Sequence, residues 1–446
     1  MFRIPVAVSR RHFLGIGARS LLGLGLGSFL PSVFGGAPKA SAAEGLDAFF
    51  VRQLVAQDNA VSRAIAWNSA VGEAEAVVDV RLAANGQDIA SVPARETLFA
   101  DDGEQSFSHT ALLTGLAPGT SYEYRLRTGD TATAWLPLQT AERNTCKALI
   151  FPDSQCSDDY RTWRAAAENA AARHPDAAFF IMMGDLVDNG ESSYQWRQWF
   201  AGAAGLIRRL PCAPLMGNHE TYDLGWKCRL PHAWLNYFPM PGNASARFYG
   251  WYYSFDWGPC HFAALNTQWE EVDALRPGLL AEQAAWLRTD LAASRKPWKI
   301  VLMHKDVIEY DYPDPADPVT GDISTTGRAL MPLFDELRPA VVLTAHQHTY
   351  RRLGRILRFA PAADGPLYID TGNCGNCYYD VPQNPRFDEK MLAQPERGNY
   401  MTLEASKEHL RLRCYLPDGT LADEAALDHP APSASKAQAA DAGSAD

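Results

Sequence analysis

The sequence predicts an α/β sandwich preceded by a smaller all-β sandwich. Three observations carry that expectation. Up to about residue 140, short runs of β-branched and aromatic residues alternate with turn residues. Beyond Cys146 the pattern changes to apolar strands alternating with helical stretches, as in an open sheet covered by helices. In that second part, acid–base and metal-binding side chains stand directly after successive apolar runs, where an open α/β sheet leaves its crevice.

The first part spans 48–142, with strands predicted at 49–56, 62–67, 76–82, 108–114, 122–128 and 134–140. Its most diagnostic stretch is 113–124. Pro118-Gly119 makes a turn, and Tyr122 follows where a tyrosine corner would tie a sandwich end to its own backbone. This stretch resembles a fibronectin type III domain. It holds no acid–base cluster, so its expected role is packing or spacing.

The second part spans 147–416. Strands are predicted at 147–151, 177–183, 213–216, 298–303, 340–344 and 367–370. Helices are predicted at 159–174, 194–210, 279–293 and 328–337. Segments 248–255 and 260–266 pair across Asp256-Trp257-Gly258, and 400–404 pairs with 410–415. Trp251, Tyr252 and Tyr253 read as core or pocket wall. His109, His174, His409 and His429 read as surface residues.

The ends of the chain have a different character. Ser9-Arg10-Arg11-His12-Phe13-Leu14 precedes an apolar, Gly- and Leu-rich stretch, and Ala40-Ser41-Ala42 offers a small-x-small cleavage site. Residues 1–42 thus resemble a twin-arginine export signal, which implies delivery to the periplasm or outside by the twin-arginine machinery. The apolar stretch is short for a bilayer span and is broken by Gly and Pro31, so no stable membrane anchor is expected. The tail from 429 to 446, rich in Ala, Ser and Asp, reads as disordered. Five of the 41 Lys and Arg lie in 1–42, which has no acidic residue. The remainder carries a net charge of about −16, which argues against a general nucleic-acid binder. Eight cysteines follow residue 42. An exported chain can oxidise them, but their pairing is not readable from spacing. Cys374-Gly375-Asn376-Cys377 has no second pair to complete a zinc knuckle and reads as a structural disulfide or a tight loop.

Five short segments carry the chemistry. They are Phe151-Pro152-Asp153-Ser154-Gln155, Gly184-Asp185-Leu186-Val187-Asp188, Gly217-Asn218-His219-Glu220, Met303-His304-Lys305 and Ala345-His346-Gln347-His348. Each is weak alone. The ordered set reads as a two-metal site for phosphate-ester hydrolysis, because one carboxylate, Asp185, can bridge two cations that clamp an in-line displacement. Imidazole nitrogens beside carboxylate and amide oxygens suit Zn, Fe or Mn, as divalent or trivalent ions.

On these segments the chain resembles the calcineurin-like metallophosphoesterase superfamily. The fibronectin-like part ahead of them points to purple acid phosphatase-like proteins. The resemblance runs from about Phe49 to Tyr415 and includes Tyr253-Ser254-Phe255-Asp256, His261-Phe262 and His348-Thr349-Tyr350-Arg351. It implies one metal on Asp153, Asp185 and His348, and a second on Asp185, Asn218, His304 and His346. It places His219 at the position of an acid or phosphate-binding histidine, with Asn218 beside it. There are departures. Gln155 stands where the superfamily usually has a histidine, as a metal ligand or as a hydrogen-bond partner. Asp188 stands where the purple enzymes have a tyrosine, so their tyrosinate colour should be missing. Ala345 replaces a usual Gly. Lys305 follows His304 where many of these phosphatases have a second histidine, and either binds phosphate or is solvated.

The leading expectation is an exported, acid phosphatase-like, metal-dependent phosphoric ester hydrolase. Its substrate would be a small-molecule phosphate monoester, cleaved by a metal-bound hydroxide with His219 assisting. The alternatives are a phosphodiesterase or nucleotide hydrolase on the same residues, or a non-catalytic binding protein whose site has decayed at Gln155.

Overall fold

The computed structural model describes residues 46–73, 75–309, 316–392 and 398–429. The expected export segment 1–42 and the tail beyond His429 lie outside the described residues.

In the first part, β1 (Phe49–Leu54), β2 (Arg63–Ser69), β3 (Val77–Leu82), β4 (Asp88–Pro93), β5 (Arg95–Asp101), β6 (Glu104–Leu113), β7 (Ser121–Thr128), β8 (Thr131–Ala132) and β9 (Leu136–Gln139) form two facing sheets. One has the order β4-β3-β7-β8, with β9 also on β7. The other face is made by β1, β2, β6 and β5. Val51, Ile65, Trp67, Val78, Val80, Tyr124 and Leu126 fill the space between them. Tyr122 forms the expected corner: its hydroxyl accepts from the Ala117 backbone N–H at 2.9 Å. The expected surface position of His109 needs correction. It is fully buried, stacked on Trp67 at 4.9 Å and hydrogen-bonded to Ser69 Oγ at 2.8 Å. Trp67 covers the ring face and Ser69 bonds Nε2, while Nδ1 makes no hydrogen bond, so the ring sits there largely as a flat apolar group.

In the second part, β10 (Cys146–Phe151), α1 (Arg161–Arg173), β11 (Phe179–Met182), α2 (Ser193–Ile207) and β12 (Cys212–Pro214) alternate as expected. Then come α3 (His232–Tyr237), β13 (Tyr253–Trp257), β14 (Cys260–Ala264), α4 (Trp269–Val272), α5 (Leu279–Ala293), β15 (Trp298–Leu302), α6 (Thr325–Leu337) and β16 (Val341–Thr344). The domain closes with β17 (Arg351–Leu357), β18 (Ala360–Pro361), β19 (Leu367–Asp370), β20 (Lys390–Met391), β21 (Tyr400–Ala405), β22 (His409–Tyr415) and β23 (Leu421–Asp428). Helix α6 begins before the expected residue because Ser324 caps it, its hydroxyl accepting from Gly327 N–H at 2.9 Å. Strand β23 lies beyond the expected end at 416. It is an edge strand rich in Ala and acidic residues, so its composition hides it.

The strands form two sheets face to face. One runs β13-β14-β15-β16-β19-β17-β18, parallel from β14 to β19. The other runs β23-β22-β21-β10-β11-β12 and continues without a break into β1-β2-β6-β5 of the first part. The junction is a parallel pairing of β1 with β12, with Leu54 opposite Cys212 and Val55 N–H donating to the Cys212 carbonyl at 3.0 Å.

The two parts are therefore joined through backbone and core. Phe50 has φ +52 at an irregularity in β1. That bulge turns its ring away from the first part's core. It stacks on Phe200 of α2 at 4.4 Å and meets Tyr237 edge-on. Leu54, Val55, Ala64 and Ala66 join the same apolar cluster as Phe151, Phe180 and Trp199. Gln53 Nε2 and the Tyr124 hydroxyl both donate to the Arg208 carbonyl, at 2.9 Å each. The tip of the β5–β6 hairpin reaches further: Asp101 accepts two bonds from Arg229, and Asp102 accepts from Ser193 N–H.

The hairpin β13–β14 is tied to α5 by a partly buried ion cluster around His261. His261 donates to Asp256 at 2.7 Å and to Asp290 at 2.8 Å. Burial works against a charge on the ring, but the two carboxylates outweigh it and push His261 up to about 9.

Two predictions follow from these contacts. The first concerns cooperativity. With a shared sheet and a shared core, the two parts should unfold in one calorimetric transition. A separate transition for residues 46–142 would contradict the junction. The second concerns pH. The folded pKa of His261 lies above the unfolded value, so its stabilisation is complete below about pH 6.5 and is lost as pH rises through about 9. The melting temperature of the wild type should fall across that window more than that of His261→Gln. Parallel curves would show that the ion cluster contributes nothing.

Candidate metal centre

Strands β10, β11 and β12 end side by side, and the loops after them carry Asp153, Asp185 and Asn218-His219. From the facing sheet, the loops after β15 and β16 carry His304 and His346-His348. The topology thus brings all five segments to one end of the sandwich.

Asp185 lies at the centre. It is 1% exposed and sits in the left-handed region, with φ +48. Two glycines permit this. A Cβ on Gly217 would fall 2.0 Å from Asp185 Oδ1, and one on Gly184 would fall 2.5 Å from His304 Nδ1. Oδ1 accepts from the backbone N–H of His219 at 2.9 Å, and Oδ2 faces His304 Nε2 at 3.1 Å. Burial would raise the carboxyl, but His304 and His219 hold it far below the usual carboxylate range.

Two groups of ligand atoms share this carboxylate. One is Asp153, Asp185 and His348; the other is Asp185, His304 and His346. In each, the atoms lie within 4.8 Å of one another. Asn218 Oδ1 stands 3.1 Å from His304 Nε2, which adds an amide oxygen to the second group. Asp153 Oδ2 lies 2.9 Å from His348 Nε2, yet it makes no hydrogen bond. A buried carboxylate oxygen without a hydrogen bond, facing a ring nitrogen, is what a cation between them requires. The mixed oxygen and imidazole donors fit a transition metal.

The histidines share one device. His304 Nδ1 donates to the Met183 carbonyl at 2.9 Å, and His348 Nδ1 to the Cys377 carbonyl at 2.7 Å. His219 Nδ1 donates to the Asp188 carbonyl at 2.6 Å. A carbonyl can only accept, so each ring has its proton fixed on Nδ1 and presents Nε2 to the cluster. Burial opposes charge on the two ligand rings. Even so, Asp185 and Asp153 push His304 up to about 9, and Asp153 pushes His348 up to about 10. The two carboxylates therefore favour positive charge at this end of the sandwich. His346 has φ +76 and its ring centre lies 5.1 Å from that of His304. Burial and the neighbouring His304 drive its pKa well down, so it is a neutral nitrogen donor.

The remaining expected residues fall at the margin. Gln155 is buried with Nε2 at 3.3 Å from His219 Nε2, and its Oε1 has no partner. Lys305 is drawn to helix α4, where Glu271 binds it at 2.7 Å and Glu270 at 3.3 Å. Asp188, at the position of the purple enzymes' tyrosine, offers its backbone carbonyl to His219.

Sequence reasoning gave Glu220 no role, although it completes the segment Gly217-Asn218-His219-Glu220. Its carboxylate is buried and accepts from the backbone N–H groups of Asp185 at 3.0 Å, Leu186 at 2.8 Å and Gly217 at 2.7 Å. It ties the loop after β11 to the loop after β12. Burial, and then Asp185, push it up to about 7. Tyr379 also went unassigned; its ring stacks on His348 at 4.2 Å. A Glu ending a Gly-Asn-His segment was a legible signal for the first. Nothing local marks the second.

Glu220→Gln tests the tie. The amide turns an NH₂ group toward backbone donors, which should cost about 1–3 kcal/mol of stability. It should also lower the metal retained after gel filtration. Unchanged melting and unchanged metal content would show that Glu220 does not position Asp185.

Comparison with known proteins agrees with this geometry. Residues 129–350 match the calcineurin-like phosphoesterase family, and residues 51–140 match the purple acid phosphatase N-terminal domain. The chain is similar to purple acid phosphatase 23 of Arabidopsis thaliana, 25% identical over 63% of this chain and 66% of that protein. It is equally similar, at 25%, to an uncharacterized protein of Mycobacterium tuberculosis, over 82% of this chain and 75% of the relative. Among solved structures, a purple acid phosphatase from yellow lupin seeds superposes with a TM-score of 0.71 at 18% identity, over 85% of this chain and 74% of the other. PhoD superposes with a TM-score of 0.61 at 12% identity, over 86% and 91%. These two likenesses speak for the fold. The chain belongs to the calcineurin-like phosphoesterases, a family of dinuclear metal-dependent phosphoric ester hydrolases, and carries the N-terminal domain of the purple acid phosphatases.

Proposed function

We propose that this protein is an exported hydrolase of phosphate monoesters. Its two-metal centre is held by Asp153, Asp185 and His348 on one side and by Asp185, Asn218, His304 and His346 on the other. The observation that carries the reading is the pair of ligand groups sharing Asp185, one buried throughout and the other buried except for a half-buried His346. When bound, the cations supply Lewis-acid polarisation of the phosphoryl oxygens and an acidified water as nucleophile. Fe, Zn and Mn suit these donors.

The protein's own groups do the rest. Asp185 supplies the negative charge between the two ligand sets. The carbonyls of Met183 and Cys377 orient His304 and His348 so that Nε2 faces the carboxylates of the two ligand sets. His219, fixed at Nδ1 by Asp188, presents Nε2 to a phosphoryl or leaving oxygen. When protonated there, it can give that proton to the departing alkoxide. Gln155 lies beside the same Nε2; its amide nitrogen can donate there while the ring is neutral, its otherwise unbonded oxygen can accept when Nε2 is protonated, and it is assigned to His219 rather than to a cation. Lys305 is engaged by Glu271 and Glu270 and is not assigned to phosphate.

Export is supported by the paired Arg10 and Arg11, the apolar stretch after them and the small residues at 40–42. Among the described residues, no helix is long and apolar enough to cross a membrane.

Metal analysis joined to two chromogenic assays tests this reading. The wild type should retain two metals and cleave 4-nitrophenyl phosphate faster than bis(4-nitrophenyl) phosphate. Asp185→Ala should lose metal and at least about a hundredfold in activity, since neither ligand set stays complete. Faster diester turnover would reassign the substrate class. Two bound metals with no turnover of either ester would contradict a catalytic role.

A further inference from the structure

We propose that Trp226, backed by Tyr222, is a stacking platform that selects substrates with a planar aromatic group on the leaving side of the phosphate. The inference rests on the hydrolase reading, with His219 at the leaving oxygen, and adds the class of leaving group to it.

Trp226 is 51% exposed, and Leu224 beside it is 54% exposed. Tryptophan is usually held deeper, because its large apolar face favours burial. Its backbone has φ +61, an outlier for a bulky residue. Such strain persists only where the surroundings over-determine it, and here they do. Asp223 Oδ1 accepts from the backbone N–H groups of Gly225 and Lys227, at 2.8 Å each. The Asp223 carbonyl accepts from Trp226 N–H at 2.9 Å and from the Asn189 amide. Glu191 accepts from Leu224 N–H at 2.7 Å. The return strand is held by Arg229, which pairs with Glu191 at 3.0 Å and with Asp101 at 2.9 Å. The turn is thus anchored by the 189–191 loop and by the hairpin tip of the first sandwich.

This rigid turn presents the indole to the candidate site. The Trp226 ring stands edge-on to His219, with centres 5.8 Å apart at 87°. Tyr222 lies 6.1 Å from Trp226 and 5.6 Å from His219. Three rings therefore form one wall, and the outermost is half open to solvent. A group joined to the leaving oxygen beside His219 is carried toward that wall. An aliphatic alcohol gains little there, whereas a flat ring gains stacking area. An aryl phosphate and a nucleoside monophosphate both offer such a ring.

The test uses the full, metal-loaded protein as wild type, Trp226→Ala and Trp226→Phe. Three substrates are compared: 4-nitrophenyl phosphate, adenosine 5′-monophosphate and glycerol 2-phosphate. The ratio of variant to wild-type kcat/KM cancels the intrinsic reactivity of each ester. Trp226→Ala should cost at least one aromatic substrate about tenfold more than it costs glycerol 2-phosphate, chiefly through KM. Trp226→Phe should recover most of that difference. Loss on the nitrophenyl ester alone assigns an aryl leaving group, and loss on the nucleotide alone assigns a base. Equal losses on all three substrates, or no loss on either aromatic one, would overturn the proposal. If the wild type with two metals turns over none of the three, the hydrolase reading has failed. Calorimetric binding of 4-nitrophenyl phosphate and of adenosine 5′-monophosphate then decides the platform: weaker binding of either by Trp226→Ala supports it, and equal binding of both overturns it.

Discussion

A carboxylate removed from water is costly unless it is paired or coordinated, and the fold is organised around one such group. Asp185 is buried between the two sheets, in a left-handed conformation, with His219 N–H on one oxygen and His304 on the other. Its position depends on missing side chains at Gly184 and Gly217 and on the second buried carboxylate, Glu220, which gathers the surrounding backbone donors. Loops from three parallel strands of one sheet thus close on a single anion. The facing sheet brings three imidazoles to meet it. Carbonyl acceptors fix Nδ1 on two of these, so the electrostatic need of the buried charge and the orientation of the ligand atoms are met together.

The first sandwich belongs to this arrangement and is more than a spacer. Its strand β1 extends the catalytic sheet, and its Phe50 enters the catalytic core. Its hairpin tip holds Arg229 through Asp101, and Arg229 closes the loop that begins at Asn218 and His219. One face of the site therefore takes its rigidity from residues about a hundred positions earlier in the chain. The sheet edge at β12 is covered by β1, the first strand of the first part, so the two parts share one sheet.

Much of this was legible in the sequence. The change from alternating strands to strand–helix alternation near Cys146 marked the two parts. The Gly-Asp and Gly-Asn-His segments stood out because each sets a metal-binding or acid–base side chain directly after an apolar run. The tyrosine corner at Tyr122 was visible from Pro118-Gly119 and its spacing. What escaped was set by contacts distant in sequence. The β1–β12 pairing joins residues far apart with no local mark, and β23 is an edge strand of weak strand formers. His109 read as a surface residue because its partners, Trp67 and Ser69, come from another strand. Glu220 was visible but had no role until the loops it bridges were seen together. Gln155 and Lys305 kept two readings each, since a side chain's partner, not its type, decides between ligand and support.

The most direct test of the account is anomalous diffraction from crystals of the protein loaded with zinc or manganese. Two peaks are expected, separated by roughly 3.5–4 Å, with the Asp185 carboxylate between them. Asp153 and His348 should contact one peak, and Asn218, His304 and His346 the other. A single peak, or peaks held by other residues, would contradict the claim that Asp185 is the shared ligand on which the site is built.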